Sequence, residues 1–118
     1  MIIFIAIPSK GTVKDGALTS EFLKKLADLH VSFPEHTFIS PMVQDYALLP
    51  YMKADATWED WGFHCRNLIE VCSETWVLMY EGWQESLPHH TELNTSVGVF
   101  GEIEHSMKFK KPIRFIKP

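Results

Sequence analysis

The sequence is poor in cysteine, has no excess of positive charge and contains no long hydrophobic run. Each shortage removes a class of function. Its two cysteines, Cys65 and Cys72, stand seven positions apart. On the single helix that their surroundings predict, two turns separate them by about 10 Å, beyond disulfide reach. They are expected as buried free thiols of a cytoplasmic protein. With 15 acidic against 11 basic residues the formal charge is −4. No stretch is strongly basic, which argues against nucleic-acid binding. The opening apolar run, residues 1–7, is too short for a membrane span. It lacks the basic start of a signal peptide and is closed by Pro8, so no membrane partner is expected. P-loop, Gly-x-Ser-x-Gly, dinucleotide-binding and kinase phrases are all missing, and no cofactor is expected. His89 and His90, with Glu92 and later His105, match no zinc spacing. No metal is expected, and His36 and His64 read as surface or loop histidines. Repeats and low-complexity segments are absent as well.

What is present reads as one domain over residues 1–118, with 46% hydrophobic residues, enough for a core. Residues 2–7 form a continuous Ile-rich run of strand length, the pattern of a strand buried on both faces of a parallel sheet. A loop follows through Pro8, Ser9, Lys10, Gly11 and Thr12, prolonged by Asp15 and Gly16. Leu18, Phe22, Leu26 and Leu29 repeat at helical spacing, with Lys24, Lys25 and Asp28 on the wet face. Residues 37–40 read as a short strand stopped by Pro41. Residues 42–54 have no clean period and are too apolar for a free linker. They are expected as an ordered loop over the ligand edge of the sheet, contributing Gln44, Asp45 or Tyr46.

Thr57 to Asp60 has the form of a helix start. Trp58, Trp61, Cys65, Leu68 and Cys72 then form a stripe that is mainly core, with part of the tryptophan surface available to a subunit interface. Residues 75–80 give a third strand. Residues 96–107 read as a helix with Ser96 as N-cap and Val99, Phe100, Ile103 and Met107 as its buried stripe. Gly98 and Gly101 weaken that helix, which is tolerated where a ligand or another backbone comes close. Glu102 then stands near the helix start, on the ligand side of an α/β sheet. Its plain alternative is a solvated helix carboxylate. Lys110, Lys111 and Pro112 lead to a last strand, residues 113–116.

Ser96, Gly98, Val99, Glu102 and the Lys111-Pro112 pair resemble the glutamate motif of the nucleoside 2-deoxyribosyltransferase-like superfamily, which includes nucleotide N-glycosidases. Two further phrases carry the resemblance: the Ile3-Phe4-Ile5-Ala6 strand, and the Cys72-Ser73-Glu74-Thr75-Trp76-Val77 entry to the third strand, followed by Gly82-Trp83. The resemblance implies that Glu102 attacks or stabilises the sugar anomeric carbon. It implies substrate contacts from Phe4, Pro8, Ser9, Lys10, Gly11, Ser73, Trp83, Ser96 and Gly98. Phe4 stands where the enzymes usually carry Tyr, and Lys10 where nucleotide-preferring members place a phosphate ligand. Relatives place further acids toward the end of the helix before the third strand and at that strand's start; those positions read Cys65 and Ser73. Residues 84–95 lengthen the gap before the motif.

The expected fold is α/β, three-layered and flavodoxin-like, with about four parallel strands in the order 2-1-3-4 and helices on both faces. The expected function is N-glycosidic-bond chemistry on a small-molecule nucleoside or nucleotide, by a hydrolase or deoxyribosyltransferase that assembles as a homodimer or larger. Two alternatives stand beside it. One is a nucleotide- or nucleotide-sugar-binding module that has lost the chemistry. The other is a partner-binding protein using Trp58, Trp61 and residues 84–95.

Overall fold

The apolar run that opens the chain becomes the centre of a sheet. The computed structural model describes residues 1–8, 12–15, 17–48, 51, 58–79 and 97–117. In it, β1 (Ile2–Ala6) lies between β4 (Thr37–Ile39) and β5 (Glu74–Leu78), and β6 (Ile113–Ile116) flanks β5. All three pairings are parallel, with Phe4 opposite Ile39 on one side and Thr75 on the other. The order β4-β1-β5-β6 is 2-1-3-4 among these strands, the flavodoxin-like arrangement. A strand in that position is covered on both faces, which is why β1 is apolar at every residue.

Alternation along the strands divides the core in two. Ile3, Ile5, Trp76 and Leu78 pack with Phe22 and Leu29 of α1 (Ser20–Ser32). Phe4, Ala6 and Val77 pack on the other face, against α3 (Trp58–Val71) and α4 (Val97–Lys108), through Cys65, Ile69, Val99 and Ile103. Each large side chain buried this way contributes roughly 1.5–3 kcal/mol. Both cysteines are free and buried; Cys65 is on α3, and Cys72 lies in the bend just past its end.

Local chemistry sets the helix ends. Thr19 caps α1, its Oγ1 accepting from the Phe22 amide at 3.3 Å. At the end of α4, Lys111 N donates to Ser106 O at 2.9 Å and Lys110 N to Met107 O at 3.0 Å. Lys110 takes a left-handed φ of 56° to make this closure.

Three segments differ from expectation. The first part of the segment expected as a loop, 42–54, is a helix, α2 (Pro41–Leu48). Proline at the first helical position brings a preset φ and loses no hydrogen bond there. The helix shows no clean apolar period because it turns Asp45 inward beside Met42 and Tyr46 and leaves Val43, Ala47 and Leu48 exposed. Second, the small strand β3 (Ala17–Leu18) pairs antiparallel with β2 (Val13–Lys14), so part of the expected loop forms a hairpin, and Leu18, expected on the first helix, belongs to its second strand. Asp15, at φ 53°, takes the left-handed conformation that an Asp-Gly hairpin turn requires. Third, Met107 is exposed, and Ser106 is buried in its place on the inner face of α4.

Candidate functional site

The parallel strands all end on one edge. At that edge Pro8, following β1, is fully buried, and α2 starts directly from the end of β4. α4 runs back from the same edge across β1, β5 and β6. Its inner face carries Val99, Ile103 and Ser106 at spacings of four and three, which keep them on one side of the helix. Glu102 falls within the same arc.

Glu102 is therefore no solvated helix carboxylate. The residue keeps some exposed surface, but its Oε2 is sealed from solvent and has no hydrogen-bond partner among the described residues. Cys65, buried on α3, packs in the same cluster as Val99 and Ile103, which flank Glu102 on α4. Burial pushes the Glu102 carboxyl up to about 8, with the nearby Cys65 thiol acting in the opposite direction. Glu102 lies on the second turn of α4, and the favourable field of a helix start fades within the first turn. The helix offers little to offset the desolvation.

The surroundings extend this polar spot. Burial, then the charges of Glu102 and Asp45, push the Cys65 thiol up to about 12, against the pull of Arg66. Asp45, half-buried on α2, is itself raised by burial, with His64 opposing. Two carboxyls from two helices thus act on one thiol. Beneath them, Ser106 Oγ donates to the Glu102 carbonyl at 2.8 Å. Its one proton is then committed, so it accepts from Thr75 Oγ1, also at 2.8 Å. That bridge ties the backbone of the Glu102 turn to β5.

The other sequence-predicted residues are distributed unevenly. Phe4 is buried in the same cluster as Cys65 and Val99, and Gly98 is half-buried on the first turn of α4. Ser73 is not brought to this edge. It sits on an exposed bend before β5, with its amide donating to Ile2 O at 2.8 Å, and so lies where the strands begin. A residue feeding a parallel strand must stand at that opposite end. Ser9, Lys10, Gly11, Trp83 and Ser96 lie outside the described residues, as do His89, His90, Glu92, residues 84–95 and the side chains of Trp58 and Trp61. No backbone closes on Gly101: an added Cβ there would meet nothing within 4 Å. Of the loop candidates, Asp45 and Tyr46 are half-buried and Gln44 is exposed. Among the described residues no group of three His, Cys, Asp or Glu side chains could hold a metal ion.

The link between Cys65 and Glu102 escaped the sequence, where Cys65 belongs to an ordinary core stripe. Only the packing of α3 beside α4 creates it.

The chain matches no family model and no curated protein sequence. A solved structure of a 2-deoxyribosyltransferase from the psychrotolerant bacterium Bacillus psychrosaccharolyticus does match. It covers 100% of this chain and 73% of its own, with a TM-score of 0.59 and 19% identity. The likeness is one of fold. It fixes the arrangement of strands and helices, and the chemistry has to be argued from this chain's own side chains. No described helix is long and apolar enough to cross a membrane.

Proposed function

We propose that this protein acts on the N-glycosidic bond of a nucleoside or nucleotide, as a hydrolase or deoxyribosyltransferase, with Glu102 at the sugar anomeric carbon. The observation that carries the reading is the Glu102 carboxyl itself: buried, with Oε2 unpartnered among the described residues, on the helix that starts at the strand-end edge. A carboxyl in that state is costly for a merely structural role. It suits a site where positive charge develops in the reaction, because a desolvated carboxylate interacts most strongly with such charge.

The bond between the anomeric carbon and the base nitrogen breaks, and its electron pair leaves with the base. The Glu102 carboxylate bonds to the carbon or stabilises its charge. Water, or a second base in a transferase, then completes the exchange, and the departing base takes up a proton. The ionised form of Glu102 is the active one. Base release therefore rises with pH toward about 8 and levels above it.

The test is to incubate the protein with deoxynucleosides and deoxynucleoside monophosphates and follow free base by chromatography. Glu102→Gln keeps the shape and removes the charge. It abolishes release while ligand affinity stays within roughly tenfold. A wild type that binds these compounds and releases no base is the binding module instead. Phe4 favours that second reading, since the resemblance expects a tyrosine hydroxyl at this buried position. The proposed site also carries assembly into a homodimer or larger, and a monomer mass in light scattering would contradict that part.

A further inference from the structure

We propose that the outer stripe of α3 is the contact between two copies of this chain, packed antiparallel about a twofold axis at Asn67. The inference rests on the assembly part of the reading above, and on none of its chemistry. Phe63, Asn67 and Val71 follow one another at spacings of four, on the side of α3 opposite the buried Cys65 and Ile69. Phe63 is 58% exposed and Val71 73%, with Asn67 exposed between them. His64 and Glu70 stand about 60° to either side of this stripe by helical spacing. Glu70 is on the α4 flank, where its Oε2 is 3.6 Å from His105. His64 is on the other flank, facing Asp45 of α2.

The order of these residues is self-complementary. A half-turn about Asn67 reverses the helix and exchanges its flanks, so each residue before Asn67 meets the one equally far after it in the second copy. Phe63 then packs on Val71 of the second copy, and Val71 on its Phe63. His64 meets Glu70 of the second copy, an imidazole with an N–H donor in either protonation state against a carboxylate whose Oε1 is turned from His105. Asn67 meets itself, and a side-chain amide holds both the donor and the acceptor of a reciprocal pair. A parallel arrangement would set Phe63 on Phe63 and part His64 from Glu70 by about 9 Å along the axis. The antiparallel one is therefore favoured by charge as well as by shape. The stripe is about 12 Å long, too little alone for the roughly 800 Å² that each partner brings to a stable interface. The same half-turn lays α2 of each copy beside α4 of the other, and these helices, which pack on α3, supply the remainder.

The experiment uses full chains and needs no ligand. Wild type, Phe63→Lys and Val71→Glu are compared by sedimentation equilibrium, with circular dichroism to confirm folding. Both side chains are exposed, so either charge leaves the core untouched. The wild type should be a dimer at tens of micromolar. Each variant alone should dissociate at least about tenfold more readily. An equimolar mixture of the two should recover to within about threefold of wild type. In the mixed pair the introduced ammonium and carboxylate face each other, and the second Phe63–Val71 contact is unchanged. Oxidised Asn67→Cys should run as a crosslinked dimer on a non-reducing gel. Lys24→Cys, on the exposed face of α1, should not, and the native thiols are buried in both. Folded variants that keep the wild-type mass, or a mixture no tighter than either variant, would overturn this interface and leave assembly itself standing. A wild type that stays monomeric at tens of micromolar overturns both.

Discussion

The two faces of the sheet are built from the same strands and serve different ends. The face under α1 is filled by Ile3, Ile5, Phe22, Leu29, Phe38, Trp76 and Leu78. On it Trp76 Nε1 donates to Glu74 Oε1 at 3.1 Å, and Arg114 lies over the Trp76 ring at 4.7 Å. The face under α3 and α4 is also apolar over most of its area. It nevertheless includes two thiols, the Thr75–Ser106 bridge and a carboxyl with an unpartnered oxygen. The difference teaches that the α1 face supplies stability, whereas the α4 face gives some up to keep a titratable group dry.

Breaking the α1 face has the largest expected effect. Phe22 is fully buried, and Phe22→Ala should cost about 3–5 kcal/mol, lowering the urea midpoint at every pH alike. Glu102→Gln should do the reverse, and only in part of the pH range. Below about 4.5 the glutamate is protonated whether folded or unfolded. As pH rises from there toward about 8, the unfolded chain releases the proton that the folded state still holds. Wild-type stability therefore falls across that window and levels above it. The variant should lack the slope and be more stable by a few kcal/mol at pH 9, read from parallel denaturant curves.

Smaller effects sharpen the contrast. Thr75→Val keeps the shape and removes the donor to Ser106, so it should cost about 1–2 kcal/mol in urea unfolding. It should also reduce base release by loosening the Glu102 turn. Gly101 is exposed with open space around it, and Gly101→Ala should raise stability by up to about 1 kcal/mol. If the variant instead loses ligand affinity in a titration, the ligand itself passes over that helix turn.

Much of the frame was legible in the sequence. The Ile-rich opening run, the leucine spacing of α1 and the short strand before Pro41 each carry a local signal, and parallel-sheet topology follows from their alternation. Other parts were not legible for physical reasons. α2 turns Asp45 inward beside Met42 and Tyr46 and leaves Val43, Ala47 and Leu48 exposed, and so it leaves no apolar period to read. Asp15 sits in an Asp-Gly turn, whose hairpin signal was present but flanked by strands of two residues. Ser106 replaces Met107 on the buried face because two hydrogen bonds satisfy its hydroxyl, and that is a tertiary fact. At the site, the resemblance of Ser96, Gly98, Val99, Glu102 and Lys111-Pro112 to a glutamate motif pointed to Glu102. The influence of Glu102 and Asp45 on Cys65 depends on how three helices meet.

One group decides the contrast, the Glu102 carboxyl, which burial keeps protonated at neutral pH. Its titration can be watched directly by carbon-13 NMR of the side-chain carboxyl in the ligand-free wild type. The predicted midpoint is about 8, well above the ordinary value of 4.5. A midpoint near that ordinary value would mean that the carboxyl is hydrated or paired, and would contradict both the contrast between the two faces and the site built on it.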